Sequence, residues 1–502
     1  MFIIFVSVIV GVVGASTILF YEEEMPSLKV FVPPIMYVLS FIIYQFVGWG
    51  FFHADKYSSM IGDLKGSSTK HWSQEIQPID PTKIRLVTKE QALSLAKTSL
   101  SQDGATLGSQ FPLDEDHITL QKINNDSWYL IPLDFSGFTV WFSGDYIPGY
   151  VKVSATDPYA KPILITGKKF KYSVGAFFGD DLKRKLITKY IDKKLTDYSF
   201  EVDDSSNVFW VITAYHNIIG YEGYIVDGVV VFNPETGEDY FIPKDEIDSK
   251  PQYSWIDRVM PQEIVSDYID DWGNFKGGWF NQFWNQINLL EGETPTVNYS
   301  ADGRCVFVTP ITSTNDKDHA ITGLMYTDAR TGKSTYFTTS GGATEDALIG
   351  AVDNVVGYKN WHASKQIVYE NVHGKLSGLV PVLGSNDNYQ ALAIVELENK
   401  RVAIGTSPQE ALIEYQKILM NSGGQITTES KKALKNYTGV ISRINWDMST
   451  SGKQYYIYVN DKGFKQSFAL SSGIQSELAL SVAGDSINIE YIDAPQTVLS
   501  VM

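Results

Sequence analysis

Two long apolar segments without charged residues lie at the start of the chain and constrain its fold most strongly. They span residues 2–20 and 30–52, and the short segment between them contains three consecutive glutamates. Because about 20 apolar residues in a helix can cross the hydrocarbon core of a bilayer, this pattern predicts a transmembrane helical hairpin. A cleaved signal peptide and a buried helical hairpin are the alternatives, and the first segment lacks the basic residues typical of a signal peptide.

The predicted hairpin implies an integral membrane protein of the inner or plasma membrane. Lysine is more frequent after the second segment, at Lys56, Lys65 and Lys70, than between the segments, where only Lys29 occurs. Since basic residues favour the cytoplasmic side, the soluble region is expected in the cytoplasm. Neither segment has an internal ionisable residue of the kind that marks a transport path, so the hairpin is interpreted as an anchor.

The composition limits the chemistry that the chain can carry out. The net charge of −17 argues against sequence-independent binding of DNA, because the phosphates would be repelled. A single cysteine, Cys305, excludes an intramolecular disulfide and a metal site built from several cysteines. We expect no cofactor. The preference for lysine over arginine is typical of an AT-rich coding source, either bacterial or phage.

A pattern of one helix followed by antiparallel strands recurs after a polar linker. The first helix follows a capping box formed by Thr88 and Gln91, and strands are predicted after it, one of them at residues 138–142. In later copies, an apolar strand ends near an acidic residue, and a turn containing Thr-Gly-Lys or Thr-Gly-Glu leads into an aromatic strand. These turns lie at residues 233–238 and 328–333. Glycine at such a position predicts a hairpin.

The resulting fold class is α+β, with tandem domains between the hairpin and a C-terminal barrel. The domains are predicted at 1–52 (transmembrane hairpin), 53–83 (linker), 84–172 (first α+β domain), 173–255 (second), 256–360 (third, with an aromatic-rich insertion), 361–425 (a degenerate fourth unit) and 426–502 (barrel).

The repeated helix and hairpin over residues 85–405 resemble the PepSY family. The resemblance rests on the turns at 233–238 and 328–333, and the Trp/Phe-rich stretch at 268–295 departs from it. It implies small helix-plus-sheet domains that bind or regulate, often as inhibitors or scaffolds, on membrane-anchored bacterial proteins. Such domains tend to lie outside the cytoplasm, which conflicts with the orientation that the lysines favour.

The C-terminal region contains five predicted strands with a short helix, 475–483, before the fourth, and it resembles an OB-fold. An open meander is the alternative. Basic residues, among them Arg443, interleave here with aromatic residues such as Trp446, Tyr456 and Tyr458. This pattern would suit a nucleic-acid-binding face, although such alternation more often reflects core packing. A nucleic-acid partner at 426–502 is therefore the less favoured interpretation.

One predicted helix and the residues after it provide the candidate sites. Asp267 and Asp271 lie one helical turn apart and could bind a divalent metal or act as acid and base, whereas a solvated helix face is the simpler interpretation. Six large aromatic side chains follow and form the candidate binding residues, as domain core, as an interfacial membrane contact or as a partner-binding patch. They are Trp272, Phe275, Trp279, Phe280, Phe283 and Trp284.

The sequence thus predicts a membrane-anchored, non-enzymatic interaction or scaffold protein from a bacterial or phage cell envelope. Its expected partners are the lipid bilayer and other proteins, and a homo-oligomer is left open. The alternatives are an envelope-associated hydrolase that uses the carboxylates near Asp267, and a membrane tether for nucleic acid that acts through the C-terminal barrel.

Overall fold

The computed structural model describes most of the chain from Trp49 onward. The described residues are 49–62, 64, 72–74, 76, 78–103, 105–144, 146–220, 222–300, 303–314, 320–339, 341–421, 434–449, 452–461, 464–470, 482–493 and 496–501. Four antiparallel sheets, each of four or five strands, follow one another along the chain, and a five-stranded barrel comes after them.

The predicted transmembrane hairpin is not supported. Segment 2–20 and residues 30–48 of the second segment lie outside the described residues, and no helix in the described part is long and apolar enough to cross a bilayer. The end of the second segment instead begins helix α1 (Gly50–Ser59), which continues into the predicted linker. The fold class and the integral-membrane localisation are corrected accordingly: the described chain is a mixed arrangement of helices and several antiparallel sheets.

The first unit packs one helix against a four-stranded sheet. The predicted capping box is confirmed: the N–H of Thr88 donates to Gln91 Oε1 (3.0 Å) and the N–H of Gln91 donates to Thr88 Oγ1 (3.2 Å). The predicted strand at 138–142 is wrong, because these residues form a short helix. The elements are α2 (Lys89–Asp103), α3 (Ala105–Gln110), β1 (Thr119–Ile123), β2 (Asp126–Pro132), α4 (Phe138–Phe142), β3 (Tyr150–Ser154) and β4 (Ile163–Ile165).

The second and third units repeat a helix followed by an antiparallel sheet. The second contains α5 (Leu182–Lys189), β5 (Lys194–Val202), β6 (Val208–Ile219), β7 (Glu222–Phe232), β8 (Asp239–Pro243) and α6 (Lys244–Ser249). The third contains α7 (Gln262–Asn274), β9 (Leu290–Gly292), β10 (Thr296–Tyr299), β11 (Cys305–Ser313), β12 (Ile321–Asp328) and β13 (Ser334–Thr338). Strands β5 to β8 and β10 to β13 each pair in sequence order, and β9 pairs with β11.

The fourth unit has the same design and is as regular as the others. Its elements are α8 (Glu345–Val356), β14 (His362–Ala363), β15 (Val368–Val372), β16 (Lys375–Leu383), β17 (Tyr389–Glu396), β18 (Val402–Gly405) and α9 (Pro408–Asn421). Strands β16 and β17 are almost fully buried, because α8 and α9 both contact this sheet. A strand covered on both faces has an apolar side chain at nearly every position.

The turn between the last two strands has the same geometry in the second, third and fourth units. In each, the N–H of the fifth turn residue donates to the carbonyl of the first, at 2.8–2.9 Å. This fifth residue has a left-handed backbone, with φ of 75°, 69° and 53° at Gly237, Gly332 and Lys400 respectively. Glycine adopts this conformation without steric cost, which explains the Thr-Gly pattern in two of the turns.

Side-chain amides join the units at the edges of their sheets. The amide of Gln121 on β1 accepts from the N–H of Val202 on β5 and donates to its carbonyl, both at 2.9 Å. The amide of Asn298 on β10 similarly donates to the carbonyl of Tyr369 on β15 (3.3 Å). Gln121 therefore pairs with an edge strand much as a backbone peptide would.

A buried carboxylate, Asp257, connects three units. Its Oδ2 accepts hydrogen bonds from the N–H of Lys122 on β1 and from the hydroxyl of Tyr299 on β10, both at 2.9 Å. Its own N–H donates to Glu201 Oε2 on β5 (3.2 Å). Burial, and then the charge of Asp257, raise the pKa of Glu201 to about 8. The neutral form of Glu201 is therefore the favoured one in this contact at neutral pH.

The C-terminal strands form a closed barrel in the order β19 (Leu434–Ser449), β20 (Gly452–Asp461), β21 (Phe464–Leu470), β23 (Gln496–Val501) and β22 (Ser486–Asp493). Strands β21 and β23 pair in parallel, whereas β19 pairs antiparallel with both β20 and β22. The predicted helix at 475–483 lies almost wholly outside the described residues.

Lys400 should destabilise the fourth unit, because a side chain in a left-handed backbone conformation clashes with its own peptide. We expect Lys400→Gly to raise the local stability by about 0.5–1 kcal/mol after the greater entropy loss of glycine is subtracted. Lys400→Ala, which keeps the Cβ, is the matched control. Hydrogen exchange of the β17 and β18 amides measures the effect, and equal protection in both variants would contradict it.

Glu201 should make stability decrease with rising pH. Its pKa is raised from 4.5 to about 8 by folding, so its contribution is complete below pH 4.5 and is lost as the pH rises to 8. Glu201→Gln should remove a slope of up to about 1.4 kcal/mol per pH unit from the urea unfolding free energy. The exposed substitution Glu235→Gln should leave the slope unchanged. Parallel pH profiles for Glu201→Gln and the unsubstituted protein would disprove this role.

Candidate functional site

The aromatic segment after α7 does not continue that helix but folds into a loop that contains its own short π-helical turn, Asn281–Asn285. Helix α7 ends at Asn274, and Gly277 and Gly278 follow with φ of 89° and 83°. The side-chain amide of Asn281 then donates to the carbonyls of Lys276 (2.8 Å) and Ile287 (2.9 Å). Asn281 thus holds the two ends of the loop together, which fixes the directions of the aromatic side chains between them.

The six predicted aromatic residues divide into two groups. Trp272 and Phe275 pack inward, with their ring centroids 5.2 Å from Tyr336 and 5.3 Å from Tyr57 respectively. Trp279 lies at the centre of the loop and stacks on Phe283, with ring centroids 5.2 Å apart and nearly parallel planes. The second group surrounds Trp279 and is exposed to solvent: Phe280, Phe283 and Trp284.

Three aromatic residues from the start of α1 join this loop. Phe51 makes an edge contact with Trp279 at 4.7 Å between centroids, and Trp49 approaches the same ring at 6.2 Å. Phe52 packs on Phe51 at 4.9 Å. The sequence interpretation missed these three because it assigned them to the end of an apolar segment. We call the seven residues the aromatic patch: Trp49, Phe51, Phe52, Trp279, Phe280, Phe283 and Trp284.

The aromatic patch is solvent-exposed although its side chains are apolar. Six of its seven residues, all except Trp279, retain 42–66% of their accessible surface. Helix α1 reaches the patch because Gly50 lies directly against the ring of Phe275, where a Cβ would clash. Exposed apolar groups of this size are unusual on a soluble surface and normally mark an interaction site.

A cluster of carboxylates lies beside the inward-facing residues of α7. Burial, followed by the charges of Asp267, Asp270 and Glu222, raises the pKa of Asp271 to about 7. Burial and then Asp270 and Glu263 likewise raise the pKa of Asp267. Like charges in a partly buried position favour protonation, so the pair carries less than two charges near neutral pH.

Metal binding by Asp267 and Asp271 stays a prediction. Within the described part of the chain, no group of three or more His, Cys, Asp or Glu side chains is arranged to hold a metal ion. One carboxylate oxygen of Asp270 is already engaged, since Oδ1 accepts a hydrogen bond from the N–H of Gly292 at 2.9 Å. The carboxylates are therefore described as an electrostatic cluster next to the aromatic patch.

The carboxyl group of Asp271 should titrate near pH 7, and Asp267→Asn should lower this pKa because it removes the like charge that contributes most to the shift. Carbon-13 NMR of the aspartate carboxyl groups as a function of pH measures the pKa of Asp271. Glu263→Gln on the same helix is the matched control, because Glu263 does not contribute to the shift of Asp271. An unchanged pKa in Asp267→Asn would rule out this coupling. A further decrease on addition of Ca²⁺ would support the metal prediction.

Comparisons with known proteins leave the site to be interpreted from its own geometry. No protein-family model matches the chain, and no curated protein sequence matches it either. The resemblance to PepSY domains therefore rests on the hairpin turns described above. The exposed aromatic patch departs from an ordinary polar surface and marks a candidate interaction site.

Proposed function

We propose that this chain is a non-enzymatic interaction protein that rests on the surface of a lipid bilayer through its aromatic patch. The observation that carries the proposal is the exposure of six aromatic side chains on one surface formed by α1 and the loop after α7. In this interpretation the PepSY-like units and the OB-like barrel are held at the bilayer surface and are available to other proteins. The contact is interfacial and does not require a helix that crosses the membrane.

The size of the aromatic patch is sufficient for such a contact. Each of the six exposed rings would bury roughly 100 Å² of apolar surface, because a fully buried aromatic side chain contributes about 150–250 Å². Roughly 600 Å² at about 25 cal/mol per Å² corresponds to a gross gain of about 15 kcal/mol. Ordering of the side chains and loss of free motion consume part of this gain, but enough is left for stable association.

The chemistry of the aromatic patch favours a lipid surface over a protein partner. The patch contains only Trp and Phe, whereas the centre of a protein interface usually also includes Arg or Tyr with hydrogen-bonding groups. Indole rings prefer the boundary between headgroups and acyl chains. The residues that directly precede the patch in sequence, 30–48, carry no charge. A lipid surface would accommodate all of these features together.

The charge of the chain determines which lipids are expected. With a net charge of −17, the protein should be repelled by an anionic surface. Apolar insertion should dominate, so neutral phosphatidylcholine should suffice. Raised salt should not weaken binding, because salt screens the charges and leaves apolar contacts intact.

A fluorophore at the aromatic patch tests the proposal in the intact chain. Phe283→Cys provides a labelling position, and the only native cysteine, Cys305, is buried and does not compete. With a polarity-sensitive dye at this position, we expect a blue shift on addition of phosphatidylcholine vesicles. Adding Phe280→Ser and Trp284→Ser should abolish the shift.

The matched control uses a second exposed aromatic cluster. Phe138, Phe142 and Phe178 lie close together and retain 46–72% of their accessible surface, but they lie on the first and second units. A dye at Phe142→Cys should not respond to vesicles. No response at position 283, or equal responses at both positions, would overturn the lipid proposal and would point to a protein partner for the aromatic patch.

A further inference from the structure

A cleft between the units contains the guanidinium group of Arg258, whose Nε has no hydrogen-bond partner within the described part of the chain. Two adjoining cavities, of about 470 and 660 Å³, share the lining residues Asp116, Ile118, Thr196, Asp197 and Arg258. Residues of all four units contribute, since Ile367 of the fourth unit lines the larger cavity. The larger cavity lies within the range of about 300–1,000 Å³ that is typical of small-molecule sites. The geometry is that of a binding cleft, which we call the junction cleft.

Arg258 lies where the two cavities meet. It follows Asp257, whose side-chain and backbone hydrogen bonds hold three units together, so the backbone position of Arg258 is fixed. Its Nε atom is buried and has no hydrogen-bond partner among the described residues. The residue is otherwise partly exposed, and it lines both cavities.

An unpaired guanidinium is unusual in a protein interior. Arginine cannot lose its proton, and each buried donor without an acceptor costs about 1–3 kcal/mol. Guanidinium groups pair best with planar anions such as carboxylates, which accept two parallel hydrogen bonds. The buried Nε is itself closed to a ligand, but Arg258 lines both cavities and makes no hydrogen bond or ion pair within the described part of the chain, which leaves its cavity-facing part for an acceptor supplied by a ligand.

Asp197 gives the junction cleft a second charged feature. It lies at a bulge in β5, where the register shifts between Thr196 and Tyr198, and its φ is 47°. The charges of Asp197 and Arg258 interact electrostatically, but no ion pair between them is formed. Asp197 and Arg258 thus line the same two cavities without forming an ion pair with each other.

The balance of charges in the junction cleft restricts the ligand further. Its lining contains as many acidic as basic side chains, five of each. A polyanion such as nucleic acid or a nucleoside triphosphate would meet several carboxylates and be repelled. A molecule with one negative and one positive group matches this lining, because its carboxylate can pair with Arg258 and its ammonium group can lie near Asp197.

We propose that the junction cleft binds a small zwitterion of the amino-acid type, with its carboxylate on Arg258 and its ammonium group near Asp197. The cleft is formed only when the units have the relative positions described here. Binding would thus favour this arrangement, because a ligand stabilises the state that it binds. This site is separate from the aromatic patch, and neither proposal depends on the other.

Arginine Nε–H NMR of the intact chain tests the proposal directly. The chain contains only seven arginines, and Arg258→Lys identifies the signal of Arg258. L-alanine, L-leucine and L-glutamine serve as zwitterionic probes, with propionate and inorganic phosphate as anions that lack an ammonium group. We expect a saturable shift of the Arg258 signal with at least one amino acid, at a Kd about fivefold or more below that of propionate.

Two variants separate binding from folding. Asp197→Asn should retain binding of propionate and remove the preference for the amino acid, and it changes no hydrogen bond of the junction around Asp257. Arg184→Lys, on the surface helix α5, should leave all Kd values unchanged. The proposal is overturned if no probe shifts the Arg258 signal, if propionate or phosphate binds as tightly as the amino acids, or if Asp197→Asn keeps the preference.

Discussion

The positions of the first three units depend on the hydrogen bonds of one buried carboxylate, Asp257. Its side chain accepts from the first and third units, and its backbone donates to the second through Glu201. A buried carboxyl is costly unless its oxygens are satisfied, so these partners have to arrive together. The junction cleft and the location of Arg258 at its lining both follow from this arrangement. The same contact places a group with a pKa of about 8 at the junction of these units.

Local features of the units could be predicted from the sequence. The capping box at Thr88 and the turns that begin at Asn233 and Asp328 depend on residues within a few positions of one another, and the structure contains all three. The strands that flank these turns were predicted for the same reason. The PepSY-like and OB-like resemblances stay proposals, since no family model matches the chain.

The other features depend on contacts between residues that are distant in the sequence. The hydrogen bonds of Asp257 join residues from 122 to 299, and no local pattern marks them. Apolar content alone led to the transmembrane prediction, and it also hid the role of Trp49 and Phe51 in the aromatic patch. At residues 138–142 the apolar composition suited a strand, but a helix forms and exposes Phe138 and Phe142.

The amide of Gln121 also has a consequence for how the chain behaves at high concentration. Strands β1 and β5 are both edge strands, and an edge with free peptide groups can recruit a strand from another molecule. Gln121 occupies both peptide groups of Val202, so that part of β5 is closed to such pairing. Repeated β-units on one chain carry a particular hazard of exchanging strands between copies. A single side chain that covers the edge while joining two units reduces this hazard without an additional strand.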